Sequence, residues 1–266
     1  MHPMSVGDIM DGAFKLLKAN FKGLVVTLML VALPFEAMSA YAERNLTRTT
    51  ASSQPVTSFT QLLAELNVST ADVYLVLGSL AALLVVTPLV AGVVCRTVAV
   101  SYLGEQLTAG QAARAGAKRF FALLVSSIVV HVLEAAGFCL CFIPAALLMA
   151  LFVLTAPAIV IEGLGPFAGI GRSWRLVRHR FWPVLGMALL AGLLAIVVQE
   201  MIGFLPQELA AAIASPHVKA VVDTVVLTIV QAFNWAFIAT VATLLYFDQR
   251  IRQEGLDLEV MAADLG

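Results

Sequence analysis

Four ionisable residues sit inside long apolar runs: Glu36, His131, Glu134 and Glu200. A charge in hydrocarbon is expensive, so such residues are candidates for chemistry before they are candidates for packing. His131 and Glu134 are three apart and share a helix face. At a rise of about 1.5 Å per residue, all four lie roughly 18–27 Å from the basic ends of their spans. Together they would line a polar cavity for a cation, a proton or an amine. The alternative is structural. Glu36 and Glu200 then reach the outer headgroups, and Glu134 pairs with His131. A metal would need ligands converging from three spans, so no metal and no other cofactor is assigned.

A second group is cationic. Arg172, Arg175, Arg178 and Arg180 crowd the stretch from Glu162 to Gly186. Basic side chains at a membrane surface attract anionic lipid phosphate, each contributing about 1 kcal/mol. The competing reading is topological, because such residues collect on the cytoplasmic side whatever they bind. Apolar residues recur at Phe167, Ile170, Trp174, Val177 and Phe181. That spacing puts one stripe on a helix and the arginines mostly on its other face. Gly165-Pro166 starts this helix, since proline suits a first turn. Residues 163–182 therefore read as a basic amphipathic helix on the cytoplasmic surface.

The elements that position these groups follow from composition. The 266 residues are 61 % hydrophobic and 12 % charged, where a soluble domain carries about 25 % charge. The apolar blocks reach the roughly 20 residues that a helix needs to cross hydrocarbon. The fold class is all-α, a polytopic membrane protein with six spans in one membrane domain. Spans fall at about 23–42, 73–96, 120–137, 140–161, 183–205 and 221–247. Residues 5–22 form an amphipathic helix ahead of the first span, and 248–266 form a cytoplasmic tail. Pro144 and Pro157 interrupt the fourth span. The polar stretch from Glu43 to Asp72 is the longest outer segment, with a short helix at 61–66.

Every lysine and arginine except Arg44, Arg48 and Lys219 falls in the N-terminus, the 96–119 loop, the 163–182 stretch or the tail. The positive-inside rule then makes both termini cytoplasmic. The expected location is the cytoplasmic (inner) membrane of a bacterium. A net charge of −1 gives no field for nucleic acid. Cys95, Cys139 and Cys141 all lie in apolar context and read as buried small residues.

Local signals mark several boundaries. Ser5 with Asp8, and Thr108 with Gln111, resemble capping boxes. Gly255 suits a helix end, and Asp248 and Arg252 are spaced to pair. The tail acids, Glu254, Asp257 and Glu259 among them, are expected to dock on Arg172 and Arg175. Gln231 and Asn234 suit hydrogen bonds between helices. Trp174, Trp182 and Tyr246 suit the membrane interface. AFKLLKANFKG from Ala13 overlays SWRLVRHRFWP from Ser173. The design reads as three parallel units, each a surface helix followed by a helical hairpin. The middle unit, 107–161, has the same order of elements but matches poorly residue by residue.

Three segments carry a resemblance: VGDIMDGAFKLLKANF, PAIVIEGLGPFAGIGRSWRLVRHRFWPVLG and LLYFDQRIRQEGLDLE. Together they resemble a bacterial family named for the membrane domain of glycerophosphoryl diester phosphodiesterase and well represented in actinobacteria. The resemblance covers nearly the whole chain. In the enzymes behind the name, this membrane part precedes a separate catalytic domain, and residues 248–266 are too few for one. The resemblance therefore implies fold and topology and no phosphodiesterase activity.

No GxSxG, P-loop or HExxH motif appears. The expected function is non-catalytic: an accessory or scaffold protein that binds membrane lipids or another membrane protein. The alternative is a small-solute or ion transporter built on the Glu36, His131, Glu134 and Glu200 cluster.

Overall fold

The computed structural model describes residues 4–50, 70–105, 107–213 and 215–255. The short helix expected at 61–66, the tail beyond Gly255 and the side chain of Glu36 lie outside the described residues. Among the described residues every regular element is helical. Hydrocarbon imposes this, because a helix satisfies its backbone polar groups within one segment. The elements are α1 (Val6–Thr50), α2 (Thr70–Tyr102), α3 (Ala109–Lys118), α4 (Phe120–Leu140), α5 (Phe142–Phe152), α6 (Thr155–Glu162), α7 (Pro166–Arg178), α8 (Phe181–Ile213) and α9 (Pro216–Glu254).

Five stretches are long and apolar enough to cross a membrane: Leu84–Tyr102, Phe120–Leu140, Ile143–Glu162, Phe181–Leu209 and Val221–Glu254. In α1, Val6–Phe21 and Val26–Pro34 meet at 83°, and they bring the number to six where this bent pair counts as one span. The chain is a multi-pass helical membrane protein. Its helices overrun the expected spans at several ends. Residues 43–50, read as loop, continue α1, and α9 runs on to Glu254. Backbone hydrogen bonding does not stop where hydrocarbon does, so apolar length marks the membrane rather than the helix.

The fourth span is broken between α5 and α6, next to Pro157 as expected, whereas Pro144 sits in the first turn of α5 and interrupts nothing. Pro157 has no N–H to offer the carbonyl of Val153, one turn back. The fully buried Ser173 of α7 bonds the backbone on either side of Val153. Its hydroxyl accepts from the Leu154 N–H at 3.2 Å and donates to the Leu151 carbonyl at 2.7 Å. The predicted caps are present too. Ser5 and Asp8 exchange hydrogen bonds, Thr108 and Gln111 form a capping box, and Gly165-Pro166 opens α7.

Burial aligns the three units. Ala13, Leu17 and Leu24 are buried in the first, and Ser173, Val177 and Val184 in the third. The middle unit buries Ala112, Gly116 and Leu123 at the same spacing. This register places RFFALL, from Arg119, on RFWPVL, from Arg180. Both copies show the same edge-to-face aromatic pair. Phe120 and Phe121 lie 5.9 Å apart, Phe181 and Trp182 5.5 Å. Each unit's second span ends at a glycine with positive φ: Gly104 at 88°, Gly163 at 71° and Gly255 at 65°. Other residues resist that conformation.

Each surface helix packs on the second span of the preceding unit. α3 lies on α2, α7 on α6, and the start of α1 on α9. The ring thus closes across the termini. Its largest apolar cluster joins α1, α2 and α9 through Leu17, Val94, Leu244 and Tyr246.

Three expectations need correction. α7 turns Gly169, Ser173, Leu176 and Val177 inward, while Phe167 and Trp174 face outward. The stripe read from the sequence is therefore split between the two faces, with Val177 buried and Ile170 and Phe181 half-buried. Cys95 is buried, but Cys139 and Cys141 are exposed where α4 turns into α5. Tyr246 is fully buried in protein, with its hydroxyl on Glu162 at a span end, so it does not face lipid as an anchoring aromatic would.

Candidate functional site

The ends of α6, α7 and α9 meet in a charged junction. Arg172, midway along α7, donates through Nε to both oxygens of Glu162, at 2.8 and 3.1 Å. Its Nη2 donates to Glu254 Oε2 at 2.6 Å. Arg250 donates to the same Glu254 oxygen at 2.9 Å, and the Tyr246 hydroxyl donates to Glu162. The Arg172 side chain is only 15 % exposed. Hydrogen bonding to Glu254, opposed by burial and reinforced by Glu162, raises its pKa above the ordinary arginine range. Arg172 was expected to contact lipid; its planar fork is instead filled by carboxylates. Part of the tail does dock there, as expected, through Glu254. Asp257 lies outside the described residues.

A second junction fixes the N-terminus. The buried Asp248 accepts from the Met4 N–H at 2.8 Å and from Arg252 Nε at 2.8 Å. Arg252 Nη2 donates to the Met4 carbonyl at 2.6 Å. Gln253 Nε2 donates to the Leu176 carbonyl at 2.6 Å, tying α9 to α7.

The other three arginines of the stretch are arranged differently. Arg175 and Arg178 are exposed and Arg180 is half-buried. Arg178 donates to His179 at 3.0 Å. Nearby, α2, α3 and α6 enclose a recess of about 450 Å³. Arg96, Gln111, Arg114, Lys118 and Arg119 line it, with the end of α6 on the far side. Arg119 Nη1 donates to the Gly163 carbonyl at 2.9 Å. Among the described residues, Arg96, Arg114 and Lys118 make no hydrogen bond or ion pair.

The intramembrane residues are only partly brought together. His131 Nδ1 and Glu134 Oε2 lie 2.9 Å apart on α4, with the His131 side chain 52 % exposed. A cavity of about 150 Å³ between α2, α4 and the α5–α6 break touches His131 but not Glu134. Glu200 is exposed on α8 and has no hydrogen bond or ion pair with either. Among the described residues no group of three His, Cys, Asp or Glu is placed to hold a metal. Polar bonding between spans occurs instead from Asn234 Nδ2 to Gln199 Oε1, at 2.9 Å.

Residues 12–248 match the model of a family described as a domain of unknown function, DUF7847. The chain belongs to that family. No curated protein and no solved structure matches it. The DUF7847 match takes in all three units, the recess and Arg172, and it ends at Asp248, short of Arg250 and Glu254.

Sequence reasoning missed three residues of these junctions and this recess in the DUF7847 protein. Glu162 carried no signal beyond its place at a span end. Ser173 is a small polar residue in a basic stretch. Arg96 stands alone in an apolar run, and only the fold brings it to Arg114 and Lys118. Arg114 and Lys118 did carry a usable signal, because they sit four apart on one short helix.

Proposed function

We propose that this protein is a non-catalytic component of a bacterial cytoplasmic membrane, with both termini in the cytoplasm. It acts as an accessory or scaffold that binds anionic lipid at its basic face and a partner membrane protein through its outer surface. The observation that carries this reading is that, among the described residues, His131, Glu134 and Glu200 do not assemble into one cluster. His131 and Glu134 satisfy one another on the outer side of α4, and Glu200 stands apart. The apolar cluster around Leu17, Leu28, Val94 and Leu245 fills the centre of the bundle instead. A transporter needs an interior route to a polar site near midplane. The resemblance to phosphodiesterase membrane domains belongs to the same reading, as a statement of topology.

The test is gentle extraction from the native membrane, with mass spectrometry of whatever is retained. A stoichiometric membrane protein or a selected anionic phospholipid is the expected result. Solute flux in proteoliposomes that is lost in Glu134→Gln would overturn the reading in favour of transport.

A further inference from the structure

We infer that the recess between α2, α3 and α6 is a binding site for a phosphate group, as a monoester or diester. The inference deepens the lipid-binding half of the proposed function and rests on it only for which side of the membrane the recess faces.

The three units supply the argument. In the third, the gap between the surface helix and the end of the following span is closed by protein. Arg172 of α7 reaches Glu254 of α9, and Gln253 reaches the Leu176 carbonyl. In the first, Asn20 donates to Ser101 Oγ at 3.1 Å, and a recess of about 600 Å³ beside it is lined by one cation, Lys18, with Asn20, Thr27, Thr97 and apolar side chains. The second unit has Gln111 where the third has Arg172, and Ala115 where the third has Leu176, by the shared burial register. Glu162 corresponds to Glu254, one residue before the positive-φ glycine. Gln111 carries no charge to attract it, and Glu162 turns to Arg172 and Tyr246 instead. The Gln111 carbonyl oxygen is itself engaged, accepting from the Thr108 N–H at 3.0 Å. The gap stays open at about 450 Å³.

What lines the opening is strongly cationic. Arg96 enters from α2, Arg114 and Lys118 from α3, and Arg119 from the junction with α4. Glu162 is the one acidic residue in the lining, and it is already neutralised by Arg172. Four like charges around one concavity repel one another, and an anion removes that repulsion. Guanidinium forks on two sides suit the tetrahedral oxygens of phosphate, with lysine as a point charge. The volume falls in the usual range for a small-ligand pocket, about 300–1,000 Å³. The phosphate has two possible sources, the headgroup of an anionic phospholipid or a soluble phosphate ester.

The experiment uses the full chain in nanodiscs and follows thermal unfolding. One arm compares discs of phosphatidylcholine alone with discs containing phosphatidylglycerol. The other titrates glycerol 3-phosphate into phosphatidylcholine discs. Stabilisation in either arm is expected, and the arm that responds identifies the source. The double variant Arg114→Gln/Lys118→Gln should weaken that response about tenfold or more, each lost contact being a charge-assisted hydrogen bond. Ala115→Trp should weaken it as well, by filling the recess with every cation left in place. Arg175→Gln/Arg178→Gln, on exposed positions outside the recess, should leave it nearly unchanged. No stabilisation in either arm would overturn the inference. So would equal losses in the two double variants, which would make the effect general surface charge. Neither result bears on whether a partner protein is retained on extraction.

Discussion

A guanidinium presents five N–H donors in one plane, and Arg172 directs its own at two carboxylates from different helices. Glu162 ends α6 and Glu254 ends α9, so a single side chain joins three elements. The three side chains are between 15 % and 29 % exposed, dry enough for the pairing to matter more than an exposed ion pair does. Removing Arg172 takes away the cation that bonds both carboxylates closely, leaving Arg250 on Glu254 and the Tyr246 hydroxyl on Glu162. Arg172→Met should therefore destabilise the protein by about 2–3 kcal/mol, read as a lower unfolding temperature in detergent. Glu254→Met alone should cost less, because Arg172 retains Glu162. The double variant should cost less than the two single effects added, with a coupling of about 1 kcal/mol or more. Strict additivity would mean that the pairing contributes nothing.

At the scale of the element, α7 shows why its inner face was hard to read. Helical spacing picks out the bulky apolar residues, and of these Phe167 and Trp174 face outward while Val177 is buried. The face that meets protein is small because it must come close. A Cβ built on Gly169 would lie 2.3 Å from Ile159 Cγ1 and 2.8 Å from Cδ1. Ile159 is fully buried and cannot swing clear. Gly169→Ala should therefore cost about 1–3 kcal/mol, the usual scale for overpacking, although alanine is the better helix former. Ile159→Ala in the same chain should recover part of that loss, measured by unfolding in detergent. A neutral Gly169→Ala would show that α7 sits farther from α6 than described. Signals that act within one turn were legible without the fold: both capping boxes, the Gly165-Pro166 start, the Gly255 end and the Asp248–Arg252 pair. The middle unit was legible in its order of elements but not in its residue register. Its buried face is Ala112 and Gly116, too small to register as apolar periodicity, and RFFALL matches RFWPVL only once burial has set the alignment.

The whole molecule is a ring of three units closed across its own termini, which makes the N-terminus structural. Met4 is bonded through both its N–H and its carbonyl, to Asp248 and Arg252. Asp248→Ala removes the buried acceptor and strands the Met4 N–H and the arginine together. The expected cost is about 2–4 kcal/mol, with cleavage near the N-terminus appearing first in limited proteolysis. Global stability lost without early N-terminal cleavage would argue that the ring is not closed there.

The spans and the basic ends were legible because hydrocarbon excludes charge over some 20 residues at a time, and the positive-inside rule turns that pattern into an orientation. What the rule implies can be tested with native thiols. Cys139 and Cys141 are exposed at the turn between α4 and α5, at the opposite end of α4 from Arg119, while Cys95 is buried. With the basic ends in the cytoplasm, that turn faces outward. A membrane-impermeant maleimide applied to intact spheroplasts should label the protein, and Cys139→Ser/Cys141→Ser should abolish the labelling. Cys95 should react only after denaturation. Labelling that appears only after the membrane is opened would reverse the orientation, and would place the cationic recess and the Arg172 junction on the outer face.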